Sequence, residues 1–317
     1  VFKEGVIGQP RFINPLYLSD NDVDRDLVEL LFSGLMKYDK KGEIVKDLAS
    51  SLEIKEEGKI YEIKLKKNIF WHDGEPLTAD DVVFTVNLLQ NPEYKSSQSI
   101  KWLGVNVEKL SENTVQFKLK KAYAGFLETL TEKIIPKHIF KDIPPKNLPW
   151  ALSSQEYLEK YLVGSGPFQF KSLIQDNKTG YIKSLTLARN QNYFGKKPFL
   201  SQISFQFFSN EEDLLKSVSQ EKIDGFLVSN PSDLKNFSPE IFNNFELSLP
   251  RYFAVFFNQN PPENKSKLLT LKEIRRALNY AVDKEEILKK ITSGKGKIVN
   301  SPILPDFYGF NPVSYTH

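Results

Sequence analysis

Two short segments in which apolar residues strictly alternate with polar or charged ones constrain the fold of this chain more than any other feature. They are Tyr61–Lys66 and Val115–Lys120, and such alternation is typical of a strand with one buried face. Residues 78–90 lie between them and carry apolar residues at helical spacing behind Thr78 and Asp81, which together predict a capped helix. Because both periods occur in one stretch, the sequence excludes an all-helical fold and indicates an α/β chain.

Other segments repeat the two periods along the chain. We predict helices over Asp22–Phe32 and Asn210–Gln220, a helix opened by a capping box at Thr270–Glu273, and a helix capped by Asp283. Four prolines between Lys133 and Trp150 indicate a connection near a subdomain boundary. The remaining predicted strands are Gly166–Leu173, Tyr181–Ala188, Ile203–Phe208, Ile223–Val228 and Tyr252–Asn258.

Composition narrows the class of protein. A length of 317 residues predicts about two domains, and 43 basic against 40 acidic side chains argue against a nucleic-acid partner. The chain has no cysteine, so disulfides, thiolate nucleophiles and cysteine-bound zinc are excluded. No apolar run approaches the ~20 residues of a membrane span.

Few residues are suited to catalysis. The three histidines are His72, His138 and His317, which is too few at the wrong spacing for a zinc protease motif. His72 and Asp73 form a possible catalytic pair, but we prefer a tight turn, because Asp-Gly after a strand favours one. Gly164-Ser165-Gly166 lacks the third glycine of a dinucleotide site. We therefore expect no catalytic residue, no metal site and no cofactor.

Aromatic residues offer a different kind of site. Residues 252–257 are Tyr-Phe-Ala-Val-Phe-Phe, and a strand that is apolar on both faces is either a buried central strand or the wall of a ligand groove. Periodicity alone does not distinguish between these two interpretations.

An ordered set of nine motifs resembles the family 5 extracellular solute-binding proteins, which include the oligopeptide- and dipeptide-binding receptors of ABC importers. The resemblance extends over nearly the whole chain, and the blocks that begin at Trp71, Val163 and Ile274 are its most specific parts. The motifs are Phe12–Leu16, Leu31–Leu35, Asp47–Ala49, Tyr61–Leu65, Trp71–Val82, Ile135–His138, Val163–Phe168, Phe257–Asn258 and Ile274–Asp283.

The resemblance implies an α/β lobe like that of periplasmic binding proteins, with a mixed sheet flanked by helices. We expect residues 1–35 and 155–255 to form lobe I, and residues 36–154 to form an inserted α+β satellite subdomain. Residues 256–317 would form the hinge and an incomplete beginning of lobe II, because family members are considerably longer. We therefore interpret the chain as truncated within the second lobe, and expect it to bind ligand weakly or not at all by itself.

The resemblance also implies which residues line the ligand cleft. The loops would pair with the main chain of an extended peptide, and the aromatic residues would form apolar walls. The implied ligand-binding residues are Leu18, Ser19, Asp20, Asn21, Gly164, Ser165, Gly166, Ser229, Asn230, Tyr252, Phe253 and Phe256.

The function that this resemblance implies is capture of peptides and their delivery to the membrane subunits of an ABC importer, by a monomer outside the cytoplasm. That location is the periplasm or the outer face of the cytoplasmic membrane, and the sequence leaves lipid anchoring open. Three alternatives remain open. The same scaffold binds another solute, such as a nickel complex or a sugar; the chain is a hydrolase that uses His72 and Asp73; or it is an adhesin or signalling receptor built on the same scaffold.

Overall fold

The computed structural model describes residues 1–17, 21–151, 157–158, 162–228, 242–245, 252–292, 294, 296–299 and 304. The chain divides into two compact units, Val1–Leu227 and Val228–His317. The predicted bounds of lobe I, the satellite subdomain and lobe II remain predictions, since this division addresses compactness alone.

The strands of the first unit form three sheets. A five-stranded sheet has the order β11-β1-β10-β9-β8, a two-stranded sheet pairs β2 with β3, and a four-stranded sheet has the order β4-β5-β7-β6. The strands are β1 Phe2–Ile7, β2 Met36–Tyr38, β3 Ile44–Lys46, β4 Ala49–Lys55, β5 Ile60–Leu65, β6 Val105–Ser111, β7 Thr114–Leu119, β8 Phe168–Gln175, β9 Ile182–Arg189, β10 Gln202–Phe208 and β11 Gly225–Phe226.

The direction of the strands positions the candidate site. Strand β1 runs parallel to both of its neighbours, β10 and β11, whereas β9 runs antiparallel to β10 and to β8. The carboxyl ends of β1 and β11 therefore lie at the same end of the sheet. In α/β sheets, ligands bind beyond the carboxyl ends of parallel strands, so a ligand site is expected at this end.

The described helices are short, and the longest has 12 residues. Among them, none combines the length and apolarity that crossing a bilayer requires. The helices are α1 Asp22–Leu31, α2 Ala79–Gln90, α3 Phe126–Thr129, α4 Lys137–Phe140, α5 Leu148–Ala151, α6 Glu211–Ser219, α7 Lys272–Ala281 and α8 Lys284–Thr292.

Aromatic side chains fill the core beneath the four-stranded sheet. Phe126 packs edge-on against Tyr61 and Phe117, with ring centroids 4.7 and 5.8 Å apart. Trp102 closes the cluster at 6.1 Å from Phe126. Tyr61 and Phe117 occupy the apolar positions of the two alternating segments, so the period-2 pattern of the sequence directs these rings to one buried face.

The central predictions of secondary structure are confirmed. Strands β5 and β7 occupy the two alternating segments and pair antiparallel. Thr78 caps α2, since its side chain accepts from Asp80 N while Asp81 accepts from Thr78 N. Asp283 caps α8 by accepting from Glu286 N at 2.8 Å.

Three predictions need correction. The capping box at Thr270 is wrong, because α7 begins at Lys272 behind Leu271 and has no side-chain cap. The strand at 252–258 is also wrong: this segment pairs with no other described strand, and Phe253 is fully exposed. An isolated strand leaves its main-chain groups without partners, so aromatic content alone does not form one. The strand predicted over Ile223–Val228 is only the two-residue β11.

Candidate functional site

The loop that follows β1 is the first part of the candidate site, and buried polar groups hold it in three places. Gln9 Oε1 accepts from Ile182 N at 2.8 Å, which ties the start of the loop to β9. Further along, Asn14 Oδ1 accepts from Leu16 N at 2.9 Å, and Ser96 Oγ donates to Leu16 O at 2.8 Å. The predicted ligand residues of this region therefore follow a well-anchored segment.

The third anchor of this loop is a buried carboxylate on α1. Asp24 is fully buried and accepts from Arg11 N at 2.7 Å and from Phe12 N at 3.1 Å. The sequence pattern over Asp22–Phe32 predicts the helix but does not predict this role of Asp24. A signal was present, because Asp24 lies on the same helical face as Leu27 and Leu31, where an acid needs buried donors.

A half-open cavity of about 390 Å³ lies between this loop and the β8–β9 hairpin. It is lined by residues 9–13 of the loop, by Leu158, and by Leu173, Gln175, Gly180 and Ile182 of the hairpin. The lining combines apolar side chains with the amide groups of Gln9 and Gln175.

The Gly164-Ser165-Gly166 loop is the second part of the candidate site, and it is buried rather than open to a groove. Gly166 N donates to Leu31 O at 2.9 Å. A Cβ on Gly164 would lie 1.9 Å from Leu31 O, and a Cβ on Gly166 would lie 2.5 Å from Leu30 O. Both glycines are therefore needed for close contact with the carboxyl end of α1.

His72 holds the same loop from the other side through three hydrogen bonds. Its main-chain N donates to Gly164 O at 2.8 Å, and its Nδ1 accepts from Gly164 N at 3.0 Å. Since Nδ1 is an acceptor, the ring proton is on Nε2, which lies 3.2 Å from Gly166 O and donates to it. Burial lowers the pKa of His72 to about 4, so the ring is neutral near pH 7.

This arrangement decides what His72 and Asp73 can do chemically. Both ring nitrogens of His72 are engaged with main-chain groups, which leaves neither available as a general base. Asp73 Oδ2 pairs instead with His138 Nε2 at 2.7 Å on a half-exposed surface. The predicted tight turn is supported, since Gly74 N donates to Trp71 O and Gly74 has a φ of +93°.

A buried carboxylate joins this turn to the following helices. Asp81 accepts from Thr78 N at 2.8 Å and from Lys137 N at 2.9 Å. Burial raises the pKa of Asp81, and the hydrogen bonds oppose that shift. Asp81 thus fixes α4 against the start of α2, and with it His138 beside Asp73.

The structure distributes the predicted ligand residues over both units. Asn21 caps α1 by accepting from Val23 N and donates its amide to Gln9 O at 2.8 Å. Ser165 is fully buried, and its Oγ has no hydrogen-bond partner among the described residues. Leu18, Ser19, Asp20, Ser229 and Asn230 lie outside the described residues.

The aromatic members of the predicted site belong to the second unit. Tyr252, Phe253 and Phe256 are all exposed. Their role in binding remains a prediction, as does that of the loop residues. In the described part of the chain, no three His, Asp or Glu side chains come together as a metal ion would require.

These features define a class of protein: an α/β lobe with a candidate ligand site at the carboxyl ends of parallel strands. Solved structures of solute-binding proteins share this architecture. The oligopeptide-binding protein AppA of Bacillus subtilis, in complex with a nonapeptide, matches 98% of this chain and 59% of its own with a TM-score of 0.79 and 28% identity. NikZ of Campylobacter jejuni, in complex with Ni(L-His), matches 95% of this chain and 57% of its own with a TM-score of 0.75 and 28% identity.

Curated relatives agree with the structural matches. The oligopeptide-binding protein AppA of Bacillus subtilis is 32% identical over 95% of this chain and 53% of its own length. The dipeptide-binding protein of Escherichia coli is 28% identical over 96% of this chain and 58% of its own. The chain thus spans about half the length of the curated relatives it matches.

Residues 43–316 match the model of the bacterial extracellular solute-binding proteins, family 5. The chain belongs to this family. The predicted fold class and family are thereby confirmed.

Proposed function

We propose that the whole protein is an extracytoplasmic receptor that captures peptides between two lobes and delivers them to the membrane subunits of an ABC importer. The observation that carries this proposal is the similarity, over 95% or more of the chain, to relatives named for oligopeptide and dipeptide binding. A location in the periplasm or at the outer face of the membrane, with or without a lipid anchor, and a monomeric state belong to the same proposal.

The geometry of the first unit supports a binding role. The loops that follow β1 and β11 leave the sheet at one edge, and three anchors hold the first of them. A preorganised loop loses little conformational entropy when a ligand binds, which favours affinity. We propose that the ligand contacts come from the predicted residues outside the buried Gly164–Gly166 loop, which are Leu18, Ser19, Asp20, Asn21, Ser229, Asn230, Tyr252, Phe253 and Phe256.

The proposed receptor is not an enzyme. Both ring nitrogens of His72 are bonded to the main chain, and Asp73 pairs with His138 rather than His72. A hydrolase that used these two residues would first have to break the contacts that hold the Gly164–Gly166 loop. We expect no peptidase or esterase turnover from the protein, and a turnover that His72→Ala abolishes would contradict this part of the proposal.

A second candidate function is uptake of a chelated metal, because the similar NikZ structure contains Ni(L-His). Calorimetry distinguishes the candidates when a pool of two- to nine-residue peptides and nickel–histidine are titrated separately into the 317-residue chain. We expect peptide binding with a Kd weaker than about 1 μM, because the chain spans 53% of the length of the AppA relative and a shorter chain offers the peptide fewer contacts. Heat from nickel–histidine without heat from peptides would favour the second function.

Alanine variants of the exposed phenylalanines test which residues contact the peptide. The double substitution Phe253→Ala and Phe256→Ala should weaken peptide binding at least tenfold, whereas Phe245→Ala, at an equally exposed phenylalanine of the same unit, should leave it unchanged. Equal losses in both variants would overturn the assignment of the aromatic contacts. Mass spectrometry of small molecules released from the freshly purified protein provides an independent identification of the ligand.

A further inference from the structure

A cluster of lysines surrounds the loop between β9 and β10 in the first unit. Lys66 Nζ lies 4.9 Å from the centre of the Phe194 ring, and Phe194 packs on Tyr193 at 4.7 Å. Burial lowers the pKa of Lys66, Asp47 opposes that shift, and the charges of Lys37 and Lys46 add to it. The two-stranded sheet and the loop therefore bring several ammonium groups into mutual range.

The same loop adds two more positive charges beyond Phe194. Lys196 and Lys197 are both exposed, and the segment from residue 190 to residue 210 contains no acidic residue. Lys196 Nζ lies 5.3 Å from the centre of the Phe199 ring. The loop links the two groups of lysines, because Phe194, which lies against Lys66, is two residues before Lys196. We give the name basic aromatic patch to Lys37, Lys46, Lys66, Lys196, Lys197, Phe199 and Leu200.

Few carboxylates neutralise this patch. Asp47 pairs with Lys37 at 2.8 Å. The charge of Glu29 also raises the pKa of Lys37, but Glu29 itself pairs with the buried Lys133 at 2.7 Å. The five lysines of the patch therefore keep an excess of positive charge, although the whole chain has a formal net charge of only +3.

Apolar side chains stand at the tip of the same loop. Phe199 is 89% exposed and Leu200 is 41% exposed. Arg189 Nη1 donates to Pro198 O at 3.0 Å, which holds the main chain directly before Phe199. Burial of an exposed aromatic side chain against a partner is favourable, because it removes apolar surface from water. An exposed apolar residue at a fixed position beside lysines therefore indicates an interaction surface.

We propose that the basic aromatic patch docks the protein on an anionic phospholipid surface, with Phe199 and Leu200 in the headgroup region and the lysines on the phosphates. Anionic bilayers attract clustered lysines, and the interfacial region accepts aromatic and aliphatic side chains, so both halves of the patch fit one partner. The inference goes beyond the proposed function, because it assigns the chain a second binding partner whether or not peptide binds.

Vesicle sedimentation tests the inference with the 317-residue chain. We expect binding to vesicles of phosphatidylcholine with about one third phosphatidylglycerol, little binding to pure phosphatidylcholine, and loss of binding as salt rises from ~0.02 to ~0.5 M. Lys196→Glu with Lys197→Glu should lower the partition coefficient at least about thirtyfold, and Phe199→Ser should lower it about tenfold.

Matched variants on the four-stranded sheet side provide the controls. Lys120→Glu with Lys121→Glu changes the net charge equally at another adjacent pair of exposed lysines, and Leu103→Ser removes another exposed apolar side chain. Both should leave binding within about twofold of the wild type. Equal losses in the two charge variants, binding of free inorganic phosphate in place of vesicles, or no binding to anionic vesicles would each overturn the proposal.

Discussion

At the scale of single residues, His72 shows how one side chain can join two distant parts of the chain. Its main-chain N and both ring nitrogens bond to Gly164 and Gly166, which are more than 90 positions away in the sequence. A residue that sequence reasoning treats as a candidate base is therefore a structural link between a turn and a loop.

The state of His72 makes the stability of the first unit depend on pH. Its folded-state pKa of about 4 lies below the unfolded value of 6.5, so the unfolded chain binds more protons between these values. The stabilisation is complete above pH 6.5 and is lost as the pH falls towards 4. We expect urea unfolding to show a loss of about 2 to 3 kcal/mol over this range.

Two substitutions isolate the contribution of His72. Asparagine at position 72 keeps an acceptor for Gly164 N but does not titrate, so His72→Asn should remove most of this pH dependence. His138→Asn removes a half-exposed histidine and should leave it in place. A decline that persists in His72→Asn would show that other groups cause it.

Two glycines, Gly164 of the buried loop and Gly74 of the turn after His72, provide a second prediction at this scale. A Cβ on Gly164 would overlap Leu31 O, whereas a Cβ on Gly74 would meet nothing within 4 Å and would only strain a φ of +93°. We expect Gly164→Ala to lower the free energy of unfolding by about 3 kcal/mol and Gly74→Ala by about 1 kcal/mol. Equal losses measured by urea unfolding would mean that the loop moves away from α1 at little cost.

At the scale of elements, two similar sequences give different helix starts. Thr78 is followed by Ala-Asp-Asp and caps α2, whereas Thr270 is followed by Leu-Lys-Glu and does not cap α7. In α2, Asp81 is buried and also accepts from Lys137 N, so tertiary contacts reinforce the cap. The hydroxyl of Thr270 donates instead to Lys267 O.

This difference predicts unequal effects of the same substitution. Thr78→Ala should destabilise α2 by about 1 kcal/mol, whereas Thr270→Ala should change α7 by less than about 0.3 kcal/mol. Amide exchange of residues 79–90 and 272–281 in the two variants measures each helix separately. Similar changes in both helices would show that Thr270 caps α7, as the sequence pattern predicted.

At the scale of the whole molecule, the buried apolar residues of the described part of the chain all lie in the first unit. In the described part of the chain they run from Ile13 to Ile223. The described helices α7 and α8 carry apolar residues at helical spacing, yet Tyr280 and Ile291 are largely exposed. Helical stability depends on packing of the apolar face, so the second unit should be the less stable one.

Hydrogen exchange tests this contrast directly. We expect amides of α7 and α8 to exchange at least about a thousandfold faster than those of β5 and β7, which lie over the aromatic core. Limited proteolysis should also cut the second unit first. Comparable protection of amides from exchange in the two units would contradict this expectation. It would mean that contacts other than the exposed side chains of α7 and α8 stabilise the second unit.

Whether a feature of the fold or the candidate site could be predicted depends on how far apart in the sequence its interacting residues are. The strands β5 and β7, the cap of α2 and the cap of α8 depend on neighbours within a few residues, and the sequence predicted them. The hydrogen bonds from Asp24 to Arg11 and Phe12, and from His72 to Gly164, join segments whose proximity no local pattern encodes.

The sequence by itself determined the α/β class, the main strands and helices, and the family, because periodicity, capping and ordered motifs are properties of local order. Only the tertiary structure decided that His72 holds a loop, that Gly164 and Gly166 meet the end of α1, and that 252–258 is not a strand. The physical reason is that burial and hydrogen-bond pairing depend on which distant segments meet, and a strand or a catalytic pair exists only when its partner is in place.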